Sequence, residues 1–183
     1  MSTRLLILCT ANRCRSPMAE AIARDIAARR GIDLDIASAG FLDPGITATP
    51  EANRALAERG LDLDQHVSRR CDTEDLRVAD LILTMERAHL YEVAAVDATA
   101  VARSFPLVEF ARLATEHPRT EPFDDWVATL HATRNATLVL RLDTADDVAD
   151  PTGRSLRVHR RTARQLTDLL TAVLDAVFPP TDP

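Results

Sequence analysis

The chain has 183 residues, 46% of them hydrophobic, and a formal net charge of −6 at pH 7. This length favours one domain with a substantial core, and the negative charge argues against general nucleic-acid binding. The three cysteines indicate a reducing cytoplasm rather than a disulfide scaffold, and the apolar N-terminal stretch is too short for a signal peptide or a membrane span.

Short apolar runs alternate with stretches of helical spacing along the chain. Two helix starts carry capping signals: Thr49 precedes Pro50, and Asp72 or Thr73 precedes an acidic first turn. The predicted strands cover residues 5–8, 34–37, 81–83 and 101–107. The predicted helices cover about 16–30, 50–59, a short segment after 72, 85–94, 108–113, 123–132 and a last helix that includes 166–177.

Continuous apolar strands that alternate with helices are typical of a parallel sheet covered on both faces. We therefore predict a three-layer α/β/α fold with a central four-stranded parallel sheet and helices on both faces, in a single domain over residues 1–183. Residues 108–140 fit the alternation less well. We interpret them as a helical insertion, which serves either extra packing or substrate contact. In such sheets, ligands bind beyond the carboxyl ends of the strands.

A cysteine leaves the end of the first predicted strand, and an arginine enters the first helix. Cys9 and Arg15 have five residues between them. A loop that closes onto a helix N-terminus presents unpaired backbone N–H groups around one point and forms an anion site. Such a site favours the thiolate form of Cys9, and the Arg15 guanidinium adds a bidentate fork for anionic oxygens. The pattern predicts a cysteine nucleophile aimed at a phosphate or similar oxyanion. Taken alone, it also fits a buried structural cysteine beside a surface arginine.

The stretch C-T-A-N-R-C-R-S-P-M-A-E, which begins at Cys9, resembles the phosphate loop of the low-molecular-weight protein tyrosine phosphatases. Relatives with arsenate reductase activity share that loop. Other segments resemble the family as well, and they are 38–40, 60–69, 80–86, 150–151 and the last helix. The resemblance implies a phosphomonoester hydrolase that forms a phosphocysteine on Cys9. It implies that phosphate is bound by the loop residues Thr10, Ala11, Asn12, Arg13, Cys14, Arg15 and Ser16.

The resemblance also implies a general acid and base. Phosphate-ester cleavage needs an acid for the leaving oxygen and a base for the attacking water, and one carboxyl group can do both. Asp150, in an Asp-Pro pair before the last helix, stands where the family carries this group. From chemistry alone, helix capping by Asp150 is an alternative role, and Asp147 in the same acidic run is the runner-up.

Four residues have supporting roles by the same resemblance. Asn12 can adopt a positive φ and stabilise the bend of the loop, and Ser16 stands where the family stabilises the thiolate with a hydroxyl. His66, with Arg69, resembles the segment that braces the loop. Cys14 and Cys9 form a vicinal pair that can make a reversible disulfide and protect the thiolate from over-oxidation. Each also has a plainer interpretation, as a turn asparagine, a helix-start serine, a structural histidine and a small buried thiol.

Two positions depart from the tyrosine-specific members of the family. Thr152 stands where an aromatic residue usually follows Asp-Pro, and Arg13 stands where a small or apolar residue is usual. Phe41 could supply part of the missing wall, since aromatic stacking is worth about 0.5–1.5 kcal/mol. An arginine at the rim favours anionic peptides and disfavours a cationic phosphoarginine substrate.

We expect a phosphorylated protein or a small aryl phosphate as substrate, a monomer, no nucleic-acid or membrane partner, no cofactor and no metal. Arg15 and the backbone N–H groups would supply the charge stabilisation. Two alternatives stay open. One is an arsenate reductase or arsenate–thiol transferase, in which a relay through Cys71 alone lacks a further cysteine. The other is a pseudophosphatase that binds phosphate with weak or no turnover.

Overall fold

The computed structural model describes residues 2–134 and 144–179. This part of the chain contains the predicted four-stranded parallel sheet, in the order β2–β1–β3–β4. The strands are β1 (Thr3–Leu8), β2 (Leu34–Ala39), β3 (Leu81–Thr84) and β4 (Ser104–Pro106). Leu8 at the end of β1 pairs with Ala39 of β2 and Thr84 of β3. The carboxyl ends of these three strands therefore meet at one edge of the sheet.

Local sequence signals account for several helix ends. The Thr49 side chain accepts the Ala52 N–H, and Asp72 forms a capping box with Asp75. Gly31 ends the first helix with a φ of 65°. The helices are α1 (Arg15–Arg30), α2 (Pro50–Ala57), α3 (Thr73–Val78), α4 (His89–Val96), α5 (Leu107–Glu116), α6 (Phe123–Thr133) and α7 (Leu156–Val177).

Successive side chains of β1 point into two different cores. Leu5 and Ile7 pack in the larger core with buried residues of α1, α2, α5, α6 and α7. Leu6 and Leu8 pack in the smaller core with residues of α3 and α4. Because neighbouring side chains of a strand face opposite sides of the sheet, this arrangement confirms the prediction of helices on both faces.

Helices α5 and α6 occupy the segment that the sequence marked as an insertion. Phe110 and Trp126 are buried in the larger core, with ring centroids 5.7 Å apart in an edge-to-face arrangement. The Trp126 indole N–H donates to the carbonyl of His117 at 2.8 Å. The two helices therefore share the core of the sheet. Residues 135–140 of the segment, and Asp143 of the acidic run, lie outside the described residues.

Two predicted boundaries are wrong. Residues 98–103 form a 3₁₀ helix, so β4 keeps only the last part of the strand predicted over 101–107. The helix predicted from Met85 begins at His89, because the Met85 backbone binds neighbouring segments instead. Its N–H donates to the Leu8 carbonyl at 2.9 Å, and its carbonyl accepts the Val148 N–H at 2.8 Å.

Within residues 2–134 and 144–179, none of the helices combines the length and the hydropathy needed to cross a membrane.

Candidate active site

The Cys9 thiol lies at the base of the loop that joins β1 to α1. Cys9 is only 3% exposed. The backbone N–H of Asn12 donates to Cys9 Sγ at 3.3 Å, and Ser16 Oγ lies 3.0 Å from the same sulfur. The loop backbone and the Ser16 hydroxyl therefore approach the sulfur from two directions.

Asn12 holds the loop in its bent form. Its φ is 51°, the left-handed conformation that the sequence led us to expect. The side-chain amide donates to Ser16 Oγ at 3.0 Å and to Ser38 Oγ at 2.9 Å, and its oxygen accepts the Arg69 N–H at 3.0 Å. Since Ser16 accepts from Asn12, its own hydrogen can donate to Cys9 Sγ. The Ala39 carbonyl, at 3.4 Å, is the more distant acceptor.

A histidine and a glycine support the loop from the outside. His66 Nε2 donates to the Asn12 carbonyl at 2.7 Å, so the side chain contacts the loop backbone and not the thiol. Gly40 packs directly against the loop, where an added Cβ would lie 2.7 Å from the Asn12 nitrogen and 2.9 Å from the Thr10 carbonyl oxygen. Only glycine leaves room for this approach.

The Arg15 guanidinium is buried and joins three segments of the chain. It is paired with Glu86, donates to the Val148 carbonyl at 3.0 Å, and lies 3.3 Å from Asp150 Oδ2. Thr10 Oγ1 lies 3.5 Å from the same guanidinium. An arginine stays charged even when buried, so these oxygen atoms compensate its charge.

Asp150 and Asp147, the two acids singled out in the sequence, have different surroundings. Asp150 is exposed, faces Arg15, and accepts the Thr152 N–H at 3.1 Å. Asp147 accepts the Arg87 N–H at 2.7 Å. Burial raises the pKa of Asp147, against the opposing effects of that hydrogen bond and of the Arg87 and Arg15 charges. The site thus brings Asp150 to the phosphate loop and ties Asp147 to a neighbouring backbone.

Two side chains that had no individual role in the sequence, Glu86 and His89, also lie at the site. His89 Nε2 lies 3.0 Å from Thr10 Oγ1, and the Glu86 N–H donates to His89 Nδ1 at 3.1 Å. The neutral ring therefore carries its hydrogen on Nε2. Phe41 stacks on this ring, with centroids 5.7 Å apart. Glu86 could have been found as a polar residue close after a buried strand that pairs with β1. His89 had no comparable local signal.

All three cysteines are free thiols and buried. Burial raises the pKa of the Cys14 thiol to about 12, and it does the same for Cys71. Neither is therefore a ready nucleophile in this conformation. A disulfide between Cys9 and Cys14 stays a prediction.

A family model described as "Low molecular weight phosphotyrosine protein phosphatase" matches residues 4–137. The chain belongs to this family. The membership confirms the predicted family and the enzyme class, a protein tyrosine phosphatase-like phosphoric monoester hydrolase.

Individual relatives bear different names. A protein-arginine-phosphatase of Bacillus subtilis is 32% identical over 91% of this chain and 91% of its own length. The structure of a low molecular weight protein tyrosine phosphatase from T. tengcongensis is 30% identical, with a TM-score of 0.74, over 95% of this chain and 99% of that chain. An arsenate reductase of Staphylococcus xylosus is 36% identical over 44% of this chain and 58% of the reductase.

We expect Gly40→Ala to displace the phosphate loop. The added Cβ overlaps loop backbone, which has no flexible end to move away, so the free energy of unfolding should fall by about 1–3 kcal/mol. Phosphatase activity should fall with it. Gly45→Ala is the control, because it has a φ of 93° but nothing within 4 Å of the new Cβ. It should cost stability through strain while activity per folded molecule stays unchanged. Equal activity loss in both variants would contradict this account.

We expect His89 to make the fold sensitive to acid. Burial lowers the pKa of His89 to about 4, with Arg15 acting in the same direction and Glu86 and Asp150 opposing. The unfolded chain binds this proton near pH 6.5, so stability falls as pH drops from there to about 4, by on the order of 3 kcal/mol.

Denaturant unfolding across this pH range provides the test. His89→Gln keeps an N–H donor for Thr10 but cannot be protonated, so its stability should fall less steeply in acid than that of the wild type. Parallel stability curves for the two proteins would show that His89 is not responsible.

Proposed function

We propose that this protein is a phosphomonoester hydrolase that acts through a phosphocysteine on Cys9. Arg15 binds the phosphate, and Asp150 is the general acid and base. The observation that carries the proposal is the 3.3 Å contact between Arg15 and Asp150. It joins a carboxyl group, distant in sequence, to the loop that holds the thiol.

The phosphate would bind over the backbone from Thr10 to Ser16. The N–H groups of this loop and the start of α1, which has no side-chain cap, provide donors for anionic oxygens. Arg15 would turn part of its guanidinium from Asp150 to the phosphate, in a bidentate contact. These donors stabilise the charge that develops on the equatorial oxygens, which is why we expect no metal or cofactor.

The first step transfers the phosphoryl group to sulfur. The Cys9 thiolate attacks phosphorus, the bond from phosphorus to the leaving oxygen breaks, and protonated Asp150 gives its proton to that oxygen. The Ser16 hydroxyl and the Asn12 N–H, which contact the sulfur, stabilise the thiolate before attack.

The second step returns the enzyme to its starting state. Water attacks the phosphorus of the phosphocysteine and gives a proton to the Asp150 carboxylate. The bond from phosphorus to sulfur breaks, and the thiolate is restored with release of inorganic phosphate. The same donors stabilise sulfur as the leaving group.

The contacts of the two acids favour Asp150 over Asp147 in this role. The Asp150 side chain is 47% exposed, so it can meet a leaving group that enters from solvent. Asp147 already accepts the backbone N–H of Arg87, which withdraws one oxygen from catalysis. We assign Asp147 to the support of the loop.

The substrate would be a phosphorylated protein or a small aryl phosphate, met by a monomer in the cytoplasm. At the rim, Arg13 Nε donates to the Thr47 carbonyl at 3.2 Å, which keeps a positive charge beside the loop. Phe41, stacked on His89, offers an aromatic wall beside the loop, where its backbone N–H donates to the Thr10 carbonyl at 2.8 Å. We infer a preference for anionic peptides around the phosphorylated residue.

Arsenate chemistry is the second candidate, favoured by the arsenate reductase relative. The three buried free thiols do not offer an outward relay, so such an activity would hand arsenate from Cys9 to a small external thiol. Release of arsenite that depends on added thiol would reveal it.

Variants of Cys9, Asp150 and Asp147 test the proposal. Cys9→Ser should abolish hydrolysis of p-nitrophenyl phosphate, and Asp150→Asn should lower kcat/KM for phenyl phosphate by about 100-fold or more, since a general acid contributes about 10²–10⁴-fold. Asp147→Asn should lose much less than Asp150→Asn. Full activity in Cys9→Ser would overturn the mechanism, and phosphate binding by the wild type without turnover would identify a pseudophosphatase.

Arg13 should discriminate between cationic and neutral phosphorylated side chains. Arg13→Ala should raise the ratio of kcat/KM for a phosphoarginine peptide to that for the matched phosphotyrosine peptide by about fivefold. This corresponds to about 1 kcal/mol of like-charge repulsion in water. Arg112→Ala, which removes a half-exposed arginine paired with Glu116, is the matched control and should leave the ratio unchanged. An unchanged ratio in Arg13→Ala would show that the Arg13 charge does not determine the preference between the two peptides.

A further inference from the structure

A cluster of buried charges lies behind the loop that carries Asp150. It consists of Arg87, Glu109, Arg134 and Asp146, which we call the buried ion cluster. The Arg87 guanidinium is paired with Asp146 and donates to Glu109 Oε1 at 3.2 Å. Arg134 donates to Glu109 Oε2 at 2.8 Å. The Glu109 carboxylate thus bridges two arginines, and Asp146 pairs with Arg87.

The four side chains carry two positive and two negative charges and are largely removed from water. The side chains of Arg87, Glu109 and Arg134 are 5%, 7% and 2% exposed, and that of Asp146 is 17% exposed. Burial opposes the charge of Arg87, but Glu109 and Asp146 outweigh it and raise the pKa of the guanidinium. Buried ion pairs seldom stabilise a fold more than apolar residues of the same size would. What a buried ion pair does is fix the relative position of two segments, because each charge must lie close to its partner.

The geometry of this cluster connects directly to the catalytic loop. Arg87 binds two neighbouring residues of the segment that precedes Asp150: its guanidinium pairs with Asp146, and its N–H donates to Asp147 at 2.7 Å. The next residue, Val148, donates its N–H to the Met85 carbonyl at 2.8 Å and accepts from Arg15 at 3.0 Å. Three consecutive residues are therefore held against the turn after β3.

The other side of the cluster lies among packed helices and β4. Glu109 belongs to α5, which packs on α7, and Arg134 follows α6. Arg134 also donates to the Ser104 carbonyl at 2.9 Å, and its guanidinium lies 4.6 Å from the centroid of the Phe105 ring. Arg87 is thus held by the core on one side and holds the Asp150 segment on the other.

We propose that Arg87 is a positioning residue, which acts through Asp146 and Asp147 to hold the Asp150 carboxyl in reach of the leaving oxygen. This inference rests on the proposed function, because it needs Asp150 as the general acid. Arg87 itself touches neither the thiol nor the phosphate site. Its neighbour Glu86 pairs with Arg15, so one short turn sets both the phosphate-binding arginine and the acid.

A series of aryl phosphates with leaving groups of different pKa distinguishes positioning from a general loss of structure. A poor leaving group needs protonation, whereas 2,4-dinitrophenolate leaves without it. The constant kcat/KM reports the step up to phosphocysteine formation for each substrate. Asp146→Asn breaks the ion pair of the loop but keeps both contacts of Glu109.

We expect Asp146→Asn to lower kcat/KM by about 10-fold for phenyl phosphate, since a misplacement of about 1 Å can cost about 100-fold. For 2,4-dinitrophenyl phosphate, the loss should stay below about twofold, because the acid is not needed there. In an Asp150→Asn background, the added Asp146→Asn change should cost less than about twofold for any substrate, since both changes act on one proton transfer.

Two further variants complete the design. Arg87→Lys keeps the charge and most of the side-chain length but cannot bridge two carboxylates in a plane, and it should show the same leaving-group pattern if Asp146→Asn does not fold. Glu58→Gln removes the exposed pair with Arg160, where both side chains are more than 40% exposed, and should leave every rate unchanged.

The possible failures point to different claims. Equal losses across the leaving groups, additive losses in the Asp150→Asn background, or no loss at all would overturn the positioning role alone. If the wild type shows no turnover that depends on Cys9, or if Asp150→Asn does not steepen the leaving-group dependence, the proposed function fails and this inference fails with it.

Discussion

The site depends on the compensation of one buried positive charge. The Arg15 guanidinium is 2% exposed, and an arginine stays charged even when buried. It therefore requires oxygen atoms around it, and these come from Glu86, the Val148 carbonyl and Asp150. Because those groups belong to the turn after β3 and to the loop before α7, the charge of one arginine brings the two segments to the thiol.

The phosphate loop has a second constraint, which is the space and conformation of its backbone. Asn12 takes a positive φ, and its side chain binds the neighbouring segments on three sides. Gly40 lets the end of β2 approach to a distance that no Cβ could occupy, and His66 binds the loop carbonyl from outside. These contacts hold the loop backbone in its bent form.

Local pattern was sufficient where a short stretch of chain sets its own conformation. The apolar runs of β1, β2 and β3 and the caps of α2 and α3 are readable because burial and capping involve near neighbours. The pattern failed at Met85 and at residues 101–103. At Met85, the backbone groups bind the ends of other segments instead of continuing a helix. Residues 101–103 belong to a 3₁₀ helix, in which the Arg103 side chain donates to the carbonyls of Leu76 and Ala79.

The sequence by itself determined the parallel α/β fold and the family, and it singled out the segment from Cys9 to Ser16 as the candidate nucleophile loop, because strand, loop and helix start follow one another in the chain. It also marked Asp150 through a motif, without an independent reason to prefer it to Asp147. Only the tertiary structure decided that Asp150 faces Arg15, and that Glu86 and Arg87 serve the same turn. The physical reason is that charge pairing acts through space, between segments whose separation along the chain carries no signal of their contact.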